Sequence, residues 1–209
     1  MLLTVGLILF VISLHSQVPK AGHSRPQSWT ETDSETLWRV RYRNCDYGYS
    51  VTLAPGVVGH GNLPPSPNHG FLISLPDVGE TSSASNEEER YVWVDASYDV
   101  IDDQSLEGAA EEDIELSGKR LGKLALVAQR RTRLAGLPAR WNRVEHASAK
   151  GVVVDESVIA VRLGIVYTIG LTTLQQNASQ DENQFRKILD GFHFLKLRNA
   201  KTASFYCPD

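Results

Sequence analysis

The stretch QRRTRLAGLPARWNRVEH, residues 129–146, places five arginines around a single Ala135-Gly136 pair. Side chains of different polarity alternate on both sides of that pair, which is typical of two antiparallel strands joined by a two-residue turn. The sequence therefore predicts a β-hairpin. In its register Arg131 lies opposite Arg140, and like charges that face each other across two strands cost stability unless something neutralises them.

The same register predicts the positions of the neighbouring arginines. Arg133 is expected to share the face of Arg131 and Arg140. Arg130 is expected opposite Trp141, where a guanidinium over an indole contributes about 0.5 to 1 kcal/mol at an exposed site.

Charge is distributed in blocks along the chain. Residues 80–115 contain thirteen acidic side chains and one basic one, whereas residues 119–150 contain nine Lys or Arg and one Glu. One interpretation folds the acidic segment near the basic hairpin, or leaves both as solvated faces. The other makes the hairpin a binding surface for an anionic partner such as an acidic protein, a lipid headgroup or a cell-wall polyanion, through Arg131, Arg133, Arg140 and Arg143.

The rest of the chain predicts further strands and two helices. Alternating side chains indicate strands over residues 46–54, 71–76, 91–100, 123–134, 137–146, 151–163 and 165–174. Residues 104–120 predict a short exposed helix, and the Gly- and Pro-rich residues 54–70 predict a long loop. A final amphipathic helix is expected from the i, i+3, i+4, i+7 stripe of Phe185, Ile188, Leu189 and Phe192, with Ser179 and Glu182 as its capping box. The expected fold is α+β, with an antiparallel sheet of six to seven strands and this helix packed on it.

These motifs resemble those of a known fold. A first strand YGYSVTLAP (residues 47–55), two long hairpins, a closing YTIGL strand (167–171) and a helix ending FRKILDGF (185–192) are similar to the PsbP-like fold. That fold is shared by the extrinsic PsbP proteins of photosystem II, Mog-type Ran-binding proteins and uncharacterised bacterial exported proteins. The resemblance covers residues 37–195 and implies a scaffold without catalysis that docks to another protein. The loop at 54–70 and the acidic region at 99–115 depart from the pattern.

The N-terminal segment indicates export. Residues 2–14 form an uncharged apolar run that is too short to cross a bilayer but typical of a signal peptide; the alternative is a buried strand or helix. We expect a signal peptide over residues 1–21, a flexible linker over 22–36 and one domain over 37–209. The mature chain is then periplasmic or extracellular and has no transmembrane span. In such a compartment Cys45 and Cys207 are expected to form a disulfide, the alternative being two unpaired core thiols.

Other chemistries have weaker support in the sequence. His60 and His69 bracket the Gly/Pro loop and are candidate ligands, with Asp77, for the metal of a hydrolase, although their spacing matches no standard site. An aromatic-lined pocket of a small-ligand carrier is a second alternative, formed by Tyr47, Tyr49, Trp93 and Tyr167. No nucleophile, zinc-protease or phosphate-loop motif occurs, so we expect no enzyme, no catalytic residues and no cofactor. The net charge of -4 argues against nucleic acid as a partner.

Overall fold

The computed structural model describes residues 37–61, 69–75, 90–98, 105–199 and 204–207. The expected signal segment and linker lie outside these residues, as do Asp77 and the whole polar run 80–89.

The described residues form strands in three groups, separated by two α-helices. The strands are β1 Leu37–Trp38, β2 Arg41–Asn44, β3 Tyr49–Thr52, β4 Gly59–Gly61, β5 Gly70–Ser74, β6 Tyr91–Tyr98, β7 Ala125–Leu134, β8 Leu137–Ser148, β9 Gly151–Arg162, β10 Ile165–Leu174, β11 Phe192–Phe194, β12 Leu197–Asn199 and β13 Ser204–Phe205. The helices are α1 Leu106–Leu121 and α2 Ala178–Gly191, the latter preceded by a 3₁₀ turn at Gln175–Asn177.

The main sheet confirms the α+β fold class. Its strand order is β1-β4-β5-β6-β10-β9-β8-β7, and each neighbouring pair is antiparallel. Six predicted strands are present, four of them as the meander β7 to β10. Two short strands, β1 and β4, bring the number to eight.

Strand β4 corrects the prediction that residues 54–70 contain no regular structure. Gly59–Gly61 pairs with both β1 and β5, so the glycines did not prevent strand formation. Glycine is required at this point because a Cβ on Gly59 would lie 2.8 Å from the Phe71 ring. Close approach of an aromatic ring, and not loop flexibility, explains this residue.

The first long predicted strand lies outside the main sheet. Strand β3 pairs instead with β2 and β11 in a separate three-stranded sheet, which corrects the expectation of one continuous layer. The residues predicted for the buried face are buried, but Gly48 and Ser50 on the other face are buried as well, so the strand does not have one exposed face. Tyr47, Tyr49, Val51 and Leu53 are all buried and belong to the main core.

One face of the main sheet forms the larger core. Side chains of β5, β6, β9 and β10 pack there against β3 and α2, with Phe185 and Ile188 of the helix almost fully buried. The predicted packing of the C-terminal helix on the sheet is therefore confirmed. The capping box is wrong: α2 begins at Ala178 after Asn177, which places Ser179 inside the helix.

Helix α1 covers the opposite face of the sheet. Ala109 and Ala110 are buried against Ile159, whose strand neighbours point to the larger core. The predicted helix exists, with Ser105 accepting the capping hydrogen bond from the Gly108 amide. The expectation of an exposed helix is wrong, because small side chains on one face let it lie close to β8 and β9.

The predicted disulfide is present between Cys45 and Cys207, whose Cα atoms are 5.7 Å apart. It joins the start of the domain to its C-terminal end across 162 positions of sequence.

Candidate functional site

The hairpin β7–β8 has the turn and register that the sequence predicts. Ala135 and Gly136 both have positive φ, 45° and 86°, as a type I′ turn requires. Arg131 pairs with Arg140. The turn thus determines which arginines face each other.

The Arg140 side chain is neutralised from within the protein. Its Nη2 lies 3.0 Å from Oε1 of Glu107 in the first turn of α1, and the Arg140 side chain is 20% exposed. The described last part of the acidic segment, at the start of α1, therefore lies near the basic hairpin, in agreement with one of the two interpretations. Because Glu107 is exposed, we assign this pair at most about 1 kcal/mol of stability.

Arg143 lies on the face of the sheet opposite to Arg140, so the four candidate arginines do not form one surface. Its Nη1 is 2.9 Å from Oε1 of Glu156 and 2.8 Å from Oε1 of Glu182 on α2. Partial burial acts to lower the pKa of this guanidinium, but the two carboxylates outweigh burial and raise the pKa. Arg143 therefore links β8, β9 and α2.

Arg130 makes the predicted cation–π contact. Its guanidinium carbon lies 4.2 Å from the ring centroid of Trp141. The indole nitrogen in turn donates to Glu156, 3.1 Å away. The stack holds the Arg130 cation along the surface of β7.

Arg131 and Arg133 are the most accessible members of the predicted set. Both are exposed on β7, and Arg133 donates to the carbonyl oxygen of Gly136 at 2.8 Å. Arg131 makes no ion pair within the described part of the chain. Arg130 projects from the other face of the same strand, and the three exposed cations of β7, Arg130, Arg131 and Arg133, are together called the cationic edge.

The loop histidines are not brought together as metal ligands. His60 pairs with Leu72 in the sheet, while His69 Nε2 lies 3.2 Å from the Tyr47 hydroxyl. His69 Nδ1 is 3.9 Å from a carboxylate oxygen of Asp95. Among the residues with described positions, no group of three or more His, Cys, Asp or Glu side chains is placed to hold a metal.

The four aromatic residues proposed for a carrier pocket do not surround one cavity. Tyr49 and Tyr167 are fully buried in the larger core, where the Tyr167 hydroxyl donates to the Tyr47 carbonyl oxygen at 2.6 Å. Burial raises the pKa of Tyr167 above its usual value. Trp93 projects from the opposite face and lies over Gly170.

Sequence reasoning missed a polar layer beneath α1. The Asp113 carboxylate accepts hydrogen bonds from the Ser157 hydroxyl at 2.7 Å and from the Asn142 amide at 3.3 Å. These groups line a cavity of about 20 Å³, enough for one water molecule. Helical spacing could have indicated this position, because Asp113 follows Ala109 at i+4 and Ala110 at i+3 and so lies on the same face of α1 as these two buried residues.

A buried ion pair on the other face was also missed. Arg90 makes two hydrogen bonds to Asp181 of α2, at 2.9 and 2.7 Å, and the two side chains are 5% and 1% exposed. The Thr173 hydroxyl also donates to Asp181. Arg90 ends a strongly polar run, which gave no sign that it is buried.

No protein-family model matches the chain, and no curated protein matches its sequence. Solved structures do match. Cyanobacterial PsbP (CyanoP) from Synechocystis sp. PCC 6803 matches with a TM-score of 0.53 and 16% identity over 81% of this chain and 98% of that chain. The Ran-binding protein Mog1p of Saccharomyces cerevisiae matches with a TM-score of 0.46 and 15% identity, over 76% of this chain and 96% of that chain. LpqN, involved in cell envelope biogenesis of Mycobacterium tuberculosis, matches with a TM-score of 0.47 and 11% identity, over 77% of this chain and 91% of that chain.

Neither described helix has the length and apolar character needed to cross a bilayer. The match to CyanoP spans nearly all of that structure and most of this chain. The chain therefore has the PsbP-like fold.

Proposed function

We propose that this protein is an exported, non-catalytic docking module that binds an anionic partner through the cationic edge. The observation that carries the proposal is the exposure of Arg131 and Arg133 on a strand where no acidic side chain interrupts the positive charge. Residues 117–144 contain eight Lys or Arg and neither Asp nor Glu. Of the predicted surface, Arg140 and Arg143 are engaged by carboxylates, so the exposed β7 arginines are the binding residues in this proposal.

The remaining parts of the proposal concern location and chemistry. Disulfides persist in oxidising compartments, so the Cys45–Cys207 bond supports export together with the apolar N-terminal run. The proposal assigns no enzymatic activity, because the sequence contains no catalytic motif. Its partner is a protein or another anionic envelope component and not nucleic acid, since the chain itself carries a net charge of -4.

A charge-reversed variant tests the role of the cationic edge. Arg131→Glu combined with Arg133→Glu is expected to weaken capture of the native envelope partner by about tenfold or more, because rim charges control electrostatic attraction. Wild-type capture is expected to fall as salt rises, since exposed charges are screened. The measurement is quantitative affinity capture from envelope extract, with circular dichroism to verify folding.

The matched control changes net charge equally at another place. Lys187→Glu with Arg198→Glu replaces two exposed cations outside β7 and is expected to retain the partner. Equal capture by both double variants and the wild-type protein would contradict the proposal.

A further inference from the structure

Strand β7 is the last strand of the main sheet and has one open edge. It is ten residues long and, among the residues whose structure is described, it pairs only with β8. All but three of its residues are exposed. A long open edge presents unpaired backbone N–H and C=O groups that another extended chain can use.

The turn determines which backbone groups point outward. In a two-residue hairpin the pair that closes the turn, Leu134 with Leu137, exchanges hydrogen bonds, and hydrogen-bonded pairs then alternate along the strands. Arg133, Arg131 and Gln129 occupy the alternate positions. Their N–H and C=O groups therefore point to the open edge, beside the cationic side chains of Arg131 and Arg133.

The charges on β7 argue against pairing of two copies of this chain through the arginine-rich part of the strand. Antiparallel pairing of two β7 edges centred on Arg131 places that residue against its own copy, and centring on Thr132 places Arg131 against Arg133. Like charges directly opposite are unfavourable. An edge with this charge pattern selects a strand of opposite charge.

The start of β7 has a different character. Leu126 and Val127 are 54% and 49% exposed, and a register shift occurs between Leu126 and Ala128. The open edge thus has an apolar part at its start and a cationic part near the turn. An extended ligand that complements it carries acidic side chains at one end and apolar side chains at the other.

We infer that the open edge of β7 pairs with an extended acidic segment of a protein partner, which adds a strand to the main sheet. Carboxylates of this segment meet Arg131 and Arg133, and its apolar residues contact Leu126 and Val127. Main-chain hydrogen bonds supply affinity and the side chains supply specificity, as in other cases of strand addition. The inference rests on the proposed function and specifies the class of partner.

The probe is a synthetic peptide of about ten residues, which is the length of β7. In one half of the peptide Glu alternates with Val or Thr, and in the other half Val alternates with Thr. A second peptide has the same sequence with consecutive central amides N-methylated, so that it keeps its charge but cannot pair along either edge. Isothermal titration to the full chain is expected to show binding of the first peptide and at least about tenfold weaker binding of the second.

A protein variant tests the same pairing from the other side. Gln129→Pro removes an outward N–H without changing charge or a backbone hydrogen bond to β8, and edge strands tolerate proline at such positions. Gln129→Pro is expected to weaken peptide binding by about tenfold. The control is Gln129→Thr, which loses the same side-chain hydrogen bond to Asn142 but keeps the outward N–H, and it is expected to bind the peptide like the wild-type protein. If Gln129→Pro does not fold, the two peptides decide the question.

The outcomes separate this inference from the proposed function. Loss of binding on reversal of Arg131 and Arg133, together with equal binding of both peptides, overturns strand pairing and leaves anionic docking intact. Binding of anionic lipid vesicles or a polyanion in place of the first peptide also overturns strand pairing. Peptide binding that is unaffected by charge reversal counts against both.

Discussion

At the scale of the residue, Asp113 makes the stability of the protein depend on pH. Partial enclosure beneath α1 raises the pKa of this carboxyl, although hydrogen bonds from Ser157 and Asn142 act to lower it. Because the pKa of Asp113 is higher in the folded protein than the ordinary value of 3.8, the folded state holds a proton that the unfolded state has lost when the pH lies between the two values. The free energy of unfolding is therefore greatest at low pH and decreases as the pH rises from 3.8 through the raised pKa.

The variant Asp113→Asn tests this expectation. Asparagine keeps an oxygen to accept from Ser157 and Asn142 but cannot ionise, so the variant is expected to be more stable than the wild-type protein near pH 7. The two are expected to converge towards low pH, with a slope difference of at most about 1.4 kcal/mol per pH unit. Urea unfolding at a series of pH values measures this difference in stability between the variant and the wild-type protein. Parallel curves for the variant and the wild-type protein would show that Asp113 is not the source.

His146, on the same side of the sheet, changes stability with pH in the same direction, but at a higher pH. Its Nε2 lies 3.0 Å from Oδ2 of Asp155, and the interaction with this carboxylate raises the pKa of the imidazole despite its partial burial. A histidine with a raised pKa stabilises the fold fully below its ordinary value of 6.5, and this contribution is lost as the pH rises through the raised value.

At the scale of the element, the buried pair of Arg90 and Asp181 attaches α2 to the residue preceding β6. Asp181→Ala leaves the Arg90 charge buried without this partner, and removal of one member of a buried pair costs about 3 to 5 kcal/mol. Denaturant unfolding of the variant measures this cost. The exposed carboxylate of Asp190 on the same helix provides the control, because Asp190→Ala is expected to change stability by less than about 0.5 kcal/mol. A loss below about 1 kcal/mol for Asp181→Ala would show that Arg90 finds other compensation.

At the scale of the whole molecule, the disulfide between Cys45 and Cys207 connects the two ends of the domain. Closing a loop of this length, 162 positions, lowers the entropy of the unfolded chain and contributes about 5 kcal/mol in the chain-entropy model. Cys45→Ala with Cys207→Ala is expected to lose most of that stability while keeping the sheet order. Urea midpoints of the oxidised, reduced and double-variant proteins test this. Equal midpoints would show that the bond does not constrain the unfolded chain.

Local sequence was sufficient for most of the strands, both helices and the turn of the arginine hairpin. Alternation indicates which side chains share a face, and two residues with positive φ at Ala135-Gly136 set the register of Arg131 against Arg140. These properties depend on backbone conformations and periods that a few neighbouring residues establish. The pairing of the two cysteines was also predictable, from their even number and the expectation of an oxidising compartment.

Long-range packing decided how these elements are covered and paired. Alternation cannot say which element lies on each face, so the enclosure of Asp113 under α1 and the burial of Arg90 against α2 were not predicted. It also cannot say which sheet a strand joins, and β3 pairs in the smaller sheet because β11 follows α2 back to it. For the candidate site, acidic groups distant in sequence engage Arg140 and Arg143. Of the hairpin arginines, those of β7 are exposed in the described part of the chain, because the sheet ends there.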